Sequence, residues 1–75
     1  MSEIETLAQG ATLPPVAARR AIRLAAGVGQ TELAKALGVS RWSLIRWETG
    51  RAEPMPETRR RYAGALRALR GATDA

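Results

Sequence analysis

Between Val16 and Arg70 the apolar side chains recur at intervals of three and four, and no segment alternates as a strand would, which predicts helices throughout. Val16–Ala26 is rich in helix formers. Pro15 suits the first turn of that helix, where its missing N–H costs nothing, and Gly27 stops it. Ala18, Ile22 and Ala25 form its expected inner stripe, with Arg19, Arg20 and Arg23 mostly outside it. Gln30–Leu37 brings Leu33, Ala34 and Leu37 to one face. Gly38 then supplies the left-handed turn that ends this helix, and Val39 plugs into the core. Ser40 is a good N-cap for a helix over Arg41–Thr49, its hydroxyl placed to accept from the N–H of Trp42 or Ser43. Leu44 and Trp47 make the inner face of that helix, and Gly50 ends it. After a turn-rich connector, Arg51–Met55 with Pro54, Pro56 opens a last helix with Tyr62, Leu66 and Leu69 at i, i+4 and i+7. Its other faces carry Arg59, Arg60, Arg61, Arg67 and Arg70.

The two ends read differently. Residues 1–12 pair Ser2 with Glu5 as a weak capping box, and Ile4, Leu7 and Ala8 share a face. Gly10 and Pro14-Pro15 soon interrupt it, so this leader is expected to be frayed or a short helix. The tail, Gly71–Ala75, is expected to fray. What remains, residues 13–70, is one all-α domain of four or five helices. Two of them are short, are linked by a glycine turn, and the second opens on an N-cap bearing arginine. That is the outline of a helix-turn-helix, with the second helix, about residues 40–49, in the recognition position.

Composition narrows the chemistry. Seventy-five residues leave room for one domain, and 45% hydrophobic residues suffice for a compact core, though one of marginal stability that a partner subunit would help. The absence of cysteine and histidine removes disulfides, a thiol nucleophile and the usual zinc ligands, and it fits a reducing cytoplasm. No metal or cofactor is expected. No apolar run approaches the ~20 residues that span a bilayer, and Ser2-Glu3-Ile4-Glu5 lacks the basic start of a signal peptide. These features predict a soluble, cytoplasmic protein without a membrane partner. Glu48 has no second acid, histidine, cysteine or glycine-rich phosphate loop placed to assist it, so no enzymatic activity is expected.

Charge supplies the first functional hint. Twelve Lys+Arg face seven Asp+Glu for a net +5, and eleven of the cations are arginine. With Glu3 and Glu5 in the leader, residues 13–75 hold all twelve cations against five acids. Arginine binds phosphate and guanine bidentately, which suits nucleic acid. A solvated surface shaped by a GC-rich genome gives the same composition.

The stretch from Gln30 to Gly50 decides more. Gln30 leads it, Leu33-Ala34 and Leu37-Gly38-Val39-Ser40 follow, Leu44 stands four after Ser40, and Trp47-Glu48 precedes Gly50. This resembles the lambda-repressor/Cro family of helix-turn-helix proteins, and Arg23…Gly27…Gln30 resembles the end of that family's first helix. The similarity covers about residues 15–55. Residues 56–70 depart from it, reading as one longer helix where the family usually has two short ones. The resemblance implies a lambda-repressor-like fold and sequence-specific binding of duplex DNA. It also implies that Gln30 contacts a phosphate, and that Glu48 pairs with Arg23 to fix the recognition helix. Gln30 at a helix N-terminus is suited to an anion by the helix dipole as well, or it simply caps the helix.

Within this reading Arg41, Trp42, Ile45 and Arg46 are the candidate base contacts. The N-terminal residues of a recognition helix reach base edges, and Arg46 shares a face with Trp42. Either arginine can bond guanine O6 and N7, touch phosphate or stay solvated. Trp42 is not needed in the core. It packs on a thymine methyl or the sugar-phosphate edge, or folds over Arg46 or Arg19 as a cation–π shelf. Ile45 reads a thymine methyl or leans on the last helix. Gln30, Thr31, Ser43, Thr49 and Arg51 are the candidate backbone contacts, the last three being equally suited to solvent. Arg59-Arg60-Arg61 span most of a turn, so a general electrostatic role fits them better than specific contacts. Ala34, Gly38, Val39, Ser40, Leu44, Trp47, Arg23 and Glu48 are assigned to structure.

The function expected is that of a small transcriptional repressor, of phage or mobile-element type or an autoregulating antitoxin. It would bind a palindromic site as a homodimer, with a protein partner possible, and lie on the nucleoid when bound. Two alternatives stand beside it: an excisionase- or MerR-like architectural DNA binder with a strand-rich wing, and a protein-interaction module that keeps the fold alone.

Overall fold

A computed structural model describes residues 12–74. The expected behaviour of the leader falls on residues 1–11, outside the described residues; Thr12 is not helical. Four helices follow in order: α1 (Val16–Ala25), α2 (Gln30–Leu37), α3 (Arg41–Glu48) and α4 (Pro56–Asp74). No strand occurs among the described residues, and the fold is the all-helical arrangement that the apolar spacing predicts.

Each boundary has a local cause. Pro15, with ψ 151°, sits one place outside α1 as its N-cap rather than within its first turn. α2 ends on Gly38 at φ +71°, a left-handed conformation that glycine adopts without Cβ strain. Ser40 caps α3, its Oγ accepting from the Ser43 N–H at 3.0 Å. Thr49 is the C-cap of α3 rather than its last helical residue, and its hydroxyl donates back to the Ile45 carbonyl at 2.9 Å. α4 does not fray at Gly71 but continues through Asp74. One glycine costs a helix only about 1 kcal/mol, and Thr73 Oγ1 bonds back to the carbonyls of Arg70 (2.9 Å) and Leu69 (3.2 Å).

The core gathers one face of every helix: Ile22 from α1, Leu33, Ala34 and Leu37 from α2, Leu44 and Trp47 from α3, and Tyr62 and Leu66 from α4. Leu44 and Tyr62 are wholly enclosed, and the Trp47 and Tyr62 rings meet at 5.3 Å between centroids. Val39 and Leu69 pack against this cluster, half-buried. α2 and α3 lie against each other, with α1 supporting α3 and α4 supporting α1.

α1 departs from its expected pattern. Its buried side chains are Arg19, Ile22 and Arg23, while Ala25 is exposed. The inward stripe therefore runs through 19, 22 and 23, with Ala18 packed at its edge. Two guanidiniums lie where the periodicity of apolar residues places only alanine and isoleucine. They are accommodated because acceptors on other segments meet them.

Candidate nucleic-acid interface

α3 has two distinct sides. Leu44, Trp47 and Glu48 are buried, whereas Arg41 and Trp42 are exposed and Ile45 and Arg46 half-buried. Positions 41, 42, 45 and 46 follow helical spacing and share the outer face. Trp42 is 61% exposed, so the indole is not part of the core.

The inner side is fastened electrostatically. Arg23 grips Glu48 bidentately, Nε to Oε2 at 2.6 Å and Nη2 to Oε1 at 2.9 Å, and its Nη1 also donates to the Val28 carbonyl at 2.9 Å. Gln30 Nε2 adds a third donor to Glu48 Oε1 at 3.2 Å. Burial pushes the Glu48 carboxyl up, but the bonds from Arg23 and Gln30 outweigh it and hold the group below the ordinary carboxylate range. The same hydrogen bond raises the Arg23 guanidinium above its usual value. Thus the N-terminal residue of α2, the middle of α1 and the end of α3 converge on one carboxylate. Glu48 is wholly engaged in this network.

Arg19 was not legible as part of this arrangement. It is 6% exposed and donates to three acceptors: Pro14 O (2.9 Å), Trp47 O (3.2 Å) and Glu53 Oε1 (3.2 Å). The only sequence signal is its position four residues before Arg23, which puts both on one face of α1. Glu53 likewise gives no sequence signal of its role, and Pro54, expected as part of a turn-rich connector, is buried.

The two acids bordering the C-terminal end of α3 are therefore both neutralised by α1, Glu48 by Arg23 and Glu53 by Arg19. Arg41, Arg46 and Arg51 form no ion pair among the described residues. The outer face keeps its positive charge. Of the other sequence candidates, Thr31 is exposed at the start of α2 and Ser43 is half-buried, bonded to Ser40. The Thr49 hydroxyl is turned onto its own helix, while Arg51 is exposed and its N–H meets the Arg46 carbonyl at 2.9 Å. Ile45 and the outer face of α3 carry no acid.

Two short helices joined through a left-handed glycine, the second capped by serine and clamped from behind, make up a helix-turn-helix in geometry as well as in sequence. The helix-turn-helix family model matches residues 20–69, two thirds of the chain. The chain belongs to the lambda-repressor-like helix-turn-helix family. Comparison with curated proteins and with solved structures returns no match. As a helix-turn-helix protein it is a sequence-specific DNA binder. No helix among the described residues is long and apolar enough to cross a membrane.

Proposed function

We propose that the chain is a small cytoplasmic transcriptional repressor that lays α3 in the major groove of a duplex operator. The observation that carries this reading is the outward set Arg41, Trp42, Ile45 and Arg46 on a helix whose opposite side is tied down. A major groove accepts an α-helix of this size, and arginine at such a position bonds guanine O6 and N7 together. Trp42 and Ile45 offer apolar surface suited to a thymine methyl. Thr31, Ser43, Thr49 and Arg51 are assigned to phosphates, and Gln30 to a phosphate while it also holds Glu48. A homodimer would meet two half-sites about one helical turn apart. Such a protein acts by occupying DNA, as a phage-type repressor or an antitoxin controlling its own operon. The winged, excisionase- or MerR-like alternative loses support because the 19-residue helix α4 occupies the segment where a wing needs strands.

The test is selection from a random duplex library with the parent and Arg46→Ala in parallel. An enriched inverted repeat, relaxed at one base pair in the variant, is expected. A good bidentate pair is worth about 1–3 kcal/mol of discrimination, so the relaxation should reach roughly 5- to 150-fold at that pair. No enrichment and no binding at low salt would instead make the fold a protein-interaction module.

A further inference from the structure

α3 has only eight residues, too few to hold a direction by itself. Its orientation is set by what grips it. The last carbonyls of a helix have no partner within it, and here three of them are met by residues beyond the helix. The Ile45 carbonyl accepts from Thr49, and the Arg46 carbonyl from the Arg51 N–H. The Trp47 carbonyl accepts from Arg19 of α1 at 3.2 Å. A cation at that end is also favoured by the helix dipole.

We propose that Arg19 is a positioning residue for DNA recognition: together with Glu53 it fixes the angle at which α3 presents its outer face. The inference rests on α3 being the DNA-reading helix. Arg23 and Gln30 hold the side chain of Glu48 and the core holds Leu44 and Trp47, but none of these contacts grips the main chain of α3. Arg19, one turn earlier on α1, holds the adjacent main-chain carbonyl, so the pair of arginines restrains rotation as well as position. The same guanidinium reaches Glu53 in the connector and the Pro14 carbonyl ahead of α1. It thereby ties three separate segments to one point. Arg41 lies six residues from Trp47, about 9 Å along the helix axis. A pivot of about 10° at the clamped end would therefore move Arg41 by roughly 1.5 Å, enough to spoil a bidentate contact with a base. Phosphate contacts, being longer-ranged and less directional, tolerate such a shift.

The experiment compares the ratio of specific to non-specific DNA affinity for the full-length parent, Arg19→Met, Arg19→Lys and Glu53→Gln. The preferred duplex from the selection above and a scrambled duplex serve as probes, at a temperature where circular dichroism shows each protein folded. Arg19→Met should lower the ratio by about tenfold, within the value of one good base contact, with affinity for the scrambled duplex retained. Arg19→Lys, which keeps the charge and can reach one acceptor, should recover part of the loss. Glu53→Gln, at a side chain 48% exposed, should fold normally and show a smaller loss in the same direction. If Arg19→Met does not fold, Lys and Gln carry the test. A purely structural residue would change affinity for both duplexes equally, or the melting temperature alone, and an unchanged ratio in the folded variants overturns the inference. A parent protein that prefers no duplex overturns the DNA reading and this inference with it.

Discussion

Glu48 and Tyr62 make stability depend on pH in opposite directions. The Glu48 carboxyl is held below its ordinary value in the folded chain. Its contribution is thus complete above the unfolded value of about 4.3 and is lost as pH falls through the folded one. Burial pushes the Tyr62 hydroxyl up to about 12. The unfolded chain releases that proton near pH 10 while the folded chain keeps it, so stability is complete below about pH 10 and declines as pH rises toward 12. Melting temperature followed across pH should show both limbs. Glu48→Ala should abolish the acid limb and cost about 3–5 kcal/mol at neutral pH, because it strands the buried Arg23 charge. Tyr62→Phe should flatten the alkaline limb at little cost near neutrality, since the hydroxyl has no hydrogen-bond partner among the described residues. Legibility at this level was uneven. The Arg23–Glu48 pair could be anticipated from the resemblance, because both positions match it. Arg19 could not: helical periodicity equates charge with exposure, and the carbonyls that accept its protons belong to residues 5 and 28 positions away.

Among the helices, α2 was the most readable. Gln30–Leu37 was bounded correctly because Gly38 marks its end without ambiguity. The expected α3 runs one residue too long at Thr49, since a threonine at the C-cap gives no compositional signal when its hydroxyl folds back on the helix. α4 is expected as one long helix and is one, but the expectation that the tail frays from Gly71 leaves out its last turn. Glycine ends a helix where the chain turns left-handed, as at Gly38, and not where helix formers and a back-bonded threonine follow. The start of α3 is the most sensitive terminus, because Ser40 alone satisfies the Ser43 N–H there. Ser40→Ala should destabilise the fold by about 1 kcal/mol. Denaturant unfolding should show this as a lower midpoint with an unchanged slope.

The distribution of charge over the domain separates two kinds of contribution to DNA affinity. Buried Arg19 and Arg23 are spent on Glu53 and Glu48, so they add nothing at the surface. Exposed Arg41 and Arg51 remain available to phosphates and bases. Affinity should fall linearly with the logarithm of salt concentration, each neutralised phosphate adding about −0.9 to the slope. Arg51→Ala should reduce that slope by about one and weaken preferred and scrambled duplexes alike, measured by fluorescence anisotropy over a salt series.

The two sides of α3 also bear on descent. What fastens this helix (Leu44, Trp47, Glu48) and what it turns outward (Arg41, Trp42, Ile45, Arg46) are encoded at different codons. Substitution at the exposed Arg41 and Trp42 removes no core packing and breaks no clamp. On the proposed reading of α3, a lineage carrying this domain can therefore wander through DNA targets while its core is left intact, and two diverged copies in one cell can become deaf to each other's sites within a few mutations.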